Sequence, residues 1–228
     1  MPEHLRDRPP RAVLFDLDGT LLDTAPDMYR AFSALLSERH RAPVAYERVR
    51  PRVSHGAGGV LRAGFDDVGE TEFDALRQRF LELYRDALCV DTRLFPGMER
   101  ALDAIAAHGL AAGIVTNKAA WLTEPLIDSL GLRTRFACVV SGDTVAERKP
   151  HPLPLLHAAR LAGAAPAECV YVGDAARDIE AARAAGMPSL VARYGYHGPD
   201  DDLDAWGADG AIDSPVEIAD WLAVACAR

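Results

Sequence analysis

The sequence predicts an α/β fold: a doubly wound, mainly parallel sheet with a small helical domain inserted into it. Three observations lead there. Short apolar runs stop abruptly at polar clusters, amphipathic stretches closed by glycine lie between those runs, and one connection is far longer than the rest.

Ala12 to Phe15 is the first apolar run, and it stops at Asp16-Leu17-Asp18-Gly19-Thr20, which reads as a buried strand entering a tight loop. The pattern recurs. Leu110 to Val115 precedes Thr116-Asn117, Phe136 to Val140 precedes Ser141-Gly142-Asp143, and Cys169 to Val172 precedes Gly173-Asp174. Between them lie helical stretches over 96–108, 121–130, 152–161 and 177–185, each followed by a glycine stop at Gly109, Gly131, Gly163 or Gly186. Near-continuous apolar strands alternating with such helices make a Rossmann-like sheet covered on both faces, whose ligands gather at the carboxyl ends of the strands. All the polar clusters fall at those ends.

The first crossover breaks the rule. About 75 residues separate Asp18 from Phe95, against about 2–6 for an ordinary βα or αβ loop. Residues 26–40 and 72–88 read as amphipathic helices, with Met28, Phe32, Leu35 and Leu36 on one stripe and Phe73, Leu76, Phe80, Leu83 and Tyr84 on another. The expected division is a catalytic core of 1–22 and 91–228 and a helical cap of 23–90. No internal repeat or low-complexity tract is present.

A chain of 228 residues, 49% hydrophobic, can bury one substantial core. Met1 to Arg11 lacks the apolar run of a secretory signal, and no apolar stretch is long enough to span a bilayer. The expected location is the cytoplasm, with no membrane partner. A net charge of −9 argues against nucleic acid, which needs a basic face. Cys89, Cys138, Cys169 and Cys226 show no metal-ligand spacing and read as reduced, mostly buried thiols. No heptad or free apolar stripe indicates an oligomeric state. Of 25 basic residues only Lys118 and Lys149 are lysines, and both stand beside polar clusters. A bias toward arginine with two chance survivors explains Lys118 as well as a function does; for Lys149 a compact point charge is the better reason.

Asp16-x-Asp18 after a strand can aim two carboxylates into one cavity, and Gly19-Thr20 lets backbone amides approach an anion. The alternative for a bare DxD is a solvated turn, but the string from Phe15 to Asp23 is long enough to disfavour it. That string resembles the first motif of the haloacid dehalogenase superfamily, in its phosphatase branch. Val115-Thr116-Asn117-Lys118 resembles the second motif, Lys149-Pro150 the third, and Gly173-Asp174-Ala175-Ala176-Arg177-Asp178 the fourth, GDxxxD.

The resemblance implies a magnesium-dependent phosphatase with Asp16 as nucleophile, Asp18 as general acid and base, and Thr116 and Lys149 holding the phosphoryl group. Physical reasons accompany each role. A carboxylate striking a dianionic ester needs positive charge between the two, which Mg2+ and Lys149 supply. Asp16, the carbonyl of Asp18, and Asp174 are the expected metal ligands, with Asp178 behind them on metal-bound water or Lys149. Asp18 protonates the departing alkoxide and later activates water, which requires an environment unlike that of Asp16. Gly19, Thr20 and Asn117 are expected to help bind the substrate, although Thr116 is equally placed to cap a helix. Ala175 departs from the Ser or Thr usual at that position.

Ser54 to Gly59 reads as a small-residue loop of the cap that can reach the catalytic aspartates, with His55 and Arg62 or Arg52 reading the leaving group, or else as a simple interhelical turn. The architecture resembles phosphoglycolate phosphatases. Leu22-Asp23-Thr24-Ala25-Pro26-Asp27, 94–98, Arg193-Tyr194-Gly195-Tyr196-His197 and Trp206-Gly207-Ala208-Asp209 resemble the N-acetylmuramic acid 6-phosphate phosphatases more closely. Tyr194 and Tyr196 fit loop packing and substrate contact equally. The expected partner is a small phosphorylated metabolite. Alternatives are a sugar phosphomutase and a non-catalytic phosphate-binding protein.

Overall fold

The computed structural model describes residues 10–225. Cys226 and the stretch from Met1 to Pro9, read above for thiol burial and for a signal, lie outside the described residues. Six strands form one parallel sheet: β1 (Ala12–Phe15), β4 (Ala111–Val115), β5 (Cys138–Val140), β6 (Cys169–Gly173), β7 (Ser189–Ala192) and β8 (Gly210–Ile212), in the order β5-β4-β1-β6-β7-β8. The short β2 (Leu22–Asp23) and β3 (Arg93–Leu94) pair with each other antiparallel. Strand order reverses at β1, which pairs with β4 on one side and β6 on the other. The crevice outside its carboxyl end is therefore the topological switch point.

β1 is wholly apolar because both its faces are covered: Ala12, Val13, Leu14 and Phe15 are all 0% exposed. The covering helices are α5 (Met98–Ala107), α6 (Ala120–Ser129), α7 (Leu153–Leu161), α8 (Ala176–Ala184) and α9 (Val216–Ala225). Their bounds fall within two residues of the expected ones where a helix was expected. α9, β7 and β8 lie beyond the last pattern read from the sequence.

Between β1 and β4 lie α1 (Ala25–Glu38), α2 (Tyr46–Val49), α3 (Gly56–Leu61) and α4 (Glu70–Asp86). α1 buries Met28, Phe32, Leu35 and Leu36, and α4 packs along it with Leu76, Phe80 and Tyr84. Each such side chain contributes about 1.5–3 kcal/mol of burial. The segment expected as a loop, Ser54 to Gly59, is instead helical: a 3-10 turn over Arg50–His55 runs into α3. Val53, Val60 and Leu61 are buried and hold it down, while Gly56 at φ 67° supplies the break between the two helices. Three glycines in four residues read as a turn; the buried anchors on either side outweigh them.

Asp27, 1% exposed near the start of α1, ties down the chain where it leaves this insertion. Its carboxylate accepts from the amides of Val90, Asp91 and Thr92 at 2.8–3.1 Å and from the Thr92 hydroxyl at 2.7 Å.

Candidate active site

The loops leaving β1, β4, β5 and β6 carry Asp16 and Asp18, Thr116 and Asn117, Lys149, and Asp174 to the switch point, and Asp178 stands in the first turn of α8. Asp16, Lys149, Asp174 and Asp178 are each at most 3% exposed. Lys149 is the centre of this group. Its Nζ lies 2.8 Å from Asp16 Oδ1 and 2.7 Å from Asp178 Oδ1. It also donates to the Val115 carbonyl and the Tyr171 hydroxyl, each at 2.8 Å. An ammonium out of water is tolerable here because two carboxylates and two further oxygens replace its hydration.

Asp16, Asp174 and Asp178 each offer a carboxylate oxygen, and these atoms lie within 4.8 Å of one another. Burial, and then the nearby charges of Asp16 and Asp178, push the Asp174 carboxyl up to about 7. Hydrogen bonds from the Ser54 hydroxyl at 2.7 Å and the Tyr196 amide at 3.0 Å oppose that rise. Burial and Asp16 also push Asp178 up, against Lys149 and Arg177. An all-oxygen set with surplus negative charge in a dry site fits a hard divalent cation such as Mg2+. Asp178 spends Oδ1 on Lys149 and Oδ2 on the Ala175 amide at 3.0 Å, so it stands behind the other two acids.

Gly19 and Thr20, expected against an anion, back Asp174 instead. Gly19 has φ 89°, and a Cβ there would stand 2.0 Å from Asp174 Oδ2. Thr20 Oγ1 approaches Asp174 Oδ1 at 3.4 Å, and its carbonyl accepts from Tyr194. The side-chain amide of Asn117 is spent on the Lys149 backbone, donating to its carbonyl at 2.9 Å and accepting from its amide at 3.0 Å. It thereby fixes the loop that carries Lys149. Thr116 does not cap α6, which begins four residues later with the Ala120 amide donating to Asp143; its hydroxyl accepts from Lys118 N.

Asp18 is paired outside the cluster of Asp16, Asp174 and Asp178. Both of its oxygens accept from Lys118 Nζ, at 2.8 and 2.9 Å, and Thr24 donates to it at 2.7 Å. Lys118 is 6% exposed and lies over the Tyr84 ring at 4.9 Å. Burial pushes its ammonium down, but Asp18 outweighs that and holds it charged. Sequence reasoning left Lys118 open between function and chance. Here it is the direct partner of Asp18.

These groups open into a cavity of about 640 Å3 lined by core residues, among them Asp16, Asp18, Thr116, Asn117 and Lys118, and by insertion residues from Val53 to Gly58 and along α4. His55 lines it, and burial together with the nearby Arg177 pushes its imidazole down. Arg62 does not line it; its guanidinium sits 4.3 Å over Phe73, where an apolar ring is the better partner. Arg52 is also absent from the lining. Tyr194 and Tyr196 pack against Phe95 at 5.0 and 6.1 Å, and Tyr196 donates to Asp23 at 2.7 Å. Their segment braces Asp174 and the insertion rather than lining the cavity.

Tyr171 and Arg177 have no role in the sequence reading, and Ser54 enters it only as the start of a segment able to reach the aspartates. Tyr171 supplies an oxygen to Lys149 from the middle of an apolar strand, where period alone gives no hint. Ser54 bonds Asp174 across 120 residues. Arg177, inside the fourth motif, donates to the Ser54 carbonyl and keeps a buried, unpartnered Nε; its position in GDxxxD was the available signal.

The model of the haloacid dehalogenase-like hydrolase family matches residues 13–192. A phosphoglycolate phosphatase of Xanthomonas campestris is 47% identical over 209 residues, covering 92% of this chain and 95% of its own. An N-acetylmuramic acid 6-phosphate phosphatase of Pseudomonas putida is 42% identical over 209 residues, covering 91% and 94%. Among solved structures, a predicted phosphoglycolate phosphatase of Haemophilus somnus superposes with a TM-score of 0.82 at 27% identity, over 92% of this chain and 96% of that one. By the family match and these relatives, the chain belongs to the haloacid dehalogenase-like hydrolases and is a phosphatase.

Proposed function

We propose that the chain is a magnesium-dependent phosphomonoesterase working through an aspartyl-phosphate on Asp16, with N-acetylmuramic acid 6-phosphate as its substrate. The observation that carries the chemistry is Lys149 held between Asp16 and Asp178 beside Asp174. Asp16, Asp174 and the Asp18 carbonyl are the residues that would hold magnesium, with Asp178 behind them. When bound, the ion supplies positive charge to the phosphoryl oxygens.

Lys149 fixes Asp16 through Oδ1, leaving its other oxygen to form the bond to phosphorus as the ester P–O bond breaks. Asp18, once released from Lys118 and protonated from solvent, gives that proton to the departing alkoxide. The resulting carboxylate then takes a proton from water, which attacks the phosphoaspartate and frees phosphate and Asp16. Thr116, beside Asp16 in the cavity, is suited to hold a phosphoryl oxygen. Residues 23–90 serve as the cap, contributing His55 and α4 to the roof and excluding water when closed.

A cavity of about 640 Å3 supports a ring-sized leaving group. The phosphoglycolate phosphatases at 46–47% identity favour the second reading, 2-phosphoglycolate. Phosphate release from the two compounds under matched magnesium separates them. A preference of 100-fold in kcat/KM, about 2.7 kcal/mol, decides the substrate. Asp16→Asn is expected to abolish release from either, and full turnover by that variant would exclude the mechanism.

A further inference from the structure

Trp121 has no part in the chemistry above, yet it lines the same cavity as Asp16 and Thr116. Among the described residues it is the one aromatic among the exposed large hydrophobic side chains, at 45%. Its helix is anchored from the other side, since Leu122, Leu126 and Ile127 are buried. The core thus fixes the backbone while the indole is left at the opening of the cavity.

From α4 the cavity receives Leu81, Gln78 and Arg77. Neither polar group is firmly engaged: Arg77 makes an exposed pair with Asp74 at 3.0 Å, and Gln78 reaches Glu82 only at 3.5 Å. An aromatic face together with amide and guanidinium groups held only by exposed surface partners matches the two sides of a pyranose. Ring C–H bonds pack on the indole, and hydroxyls or an acidic substituent take the polar groups. A two-carbon ester bound at Asp16 has a carboxylate to offer the polar groups but no ring face to lay on the indole.

We propose that Trp121 is the stacking platform for the ring of a phosphorylated hexose, which makes it a specificity-determining residue of this phosphatase. The proposal rests on the phosphomonoesterase reading and deepens it by naming the residue that selects a ring over a short chain. The test compares the full-length wild type with Trp121→Ala and Trp121→Phe, with magnesium, on N-acetylmuramic acid 6-phosphate, glucose 6-phosphate and 2-phosphoglycolate. Trp121→Ala is expected to lower the sugar-to-phosphoglycolate ratio of kcat/KM at least tenfold, chiefly through KM, and Trp121→Phe to recover most of it. Equal losses on all three compounds, or none, would overturn the platform. Should the alanine variant fail to fold, binding in the Asp16→Asn background decides: N-acetylmuramic acid 6-phosphate is expected to shift the tryptophan emission, and adding Trp121→Phe to remove that shift. An unchanged shift overturns the proposal as well. Failure of the underlying reading shows separately, in the wild type: no release from any of the three compounds removes the catalytic reading, release from 2-phosphoglycolate alone removes the sugar substrate, and either also ends the proposal.

Discussion

Lys149 stands between two carboxylates with its side chain 0% exposed, so its removal has two separable effects. Lys149→Met leaves Asp16 and Asp178 buried without their counter-charge, a loss of about 3–5 kcal/mol for a broken buried pair. Urea denaturation is expected to show that loss, and phosphate release to fall about a hundred- to a thousandfold. Lys149→Arg is not expected to restore activity, because a planar fork cannot take the place of a point charge in contact with four oxygens. Asp18→Asn differs in kind. It removes the proton carrier and weakens the pair with Lys118 but leaves the acidic cluster alone. Turnover is expected to fall about 100- to 10,000-fold, while the thermal stabilisation given by magnesium persists.

At the scale of elements, the connection between α1 and the chain returning to β3 depends on one carboxylate. Burial pushes Asp27 up, but the Thr92 hydroxyl, the amides of Asp91 and Thr92, and Arg30 outweigh it and hold the carboxyl below its usual value. A lowered value means the contribution is complete above the unfolded-state value of about 3.9 and is lost as pH falls through the still lower folded one. Asp27→Asn is expected to cost roughly 2–3 kcal/mol at pH 7. The gap to the wild type should close as denaturation is repeated toward pH 3; a constant gap would assign the effect to packing. The strands and helices of the core were legible in the sequence because each apolar run ends at a polar cluster and each helix at a glycine. The Ser54 to Gly59 segment was misread as a loop because its anchors, Val53, Val60 and Leu61, are recognised only once their burial is known. Within the site, residues that a strand end delivers were readable: Asp16, Thr116, Asp174. Partner choice was not, since Asp18 meets Lys118 across 100 positions and Gly19 meets Asp174 across the sheet.

For the whole molecule, charge balance gives the clearest expectation. Three buried carboxylates in one cluster repel one another, and a cation that binds only the folded state stabilises it by mass action. Magnesium at about 100 times its Kd is expected to add about 2.7 kcal/mol, read as a rise in Tm, and a chelator to remove both that rise and turnover. Asp174→Asn should lose most of the rise while melting no lower than the metal-free wild type, because one repelling charge is gone.

The antiparallel ribbon of β2 and β3, with Leu22 facing Leu94 and Asp23 facing Arg93, brings the outgoing and returning chain side by side. Everything between them can be exchanged as a cassette without threading a new path through the sheet. A chimera taking that stretch from a relative with a different preference should inherit the part of the donor's choice of ester that His55, Arg77 and Gln78 set, while Trp121 stays with the host. Selection can therefore retune what such an enzyme accepts while the groups that break the bond stay where they are.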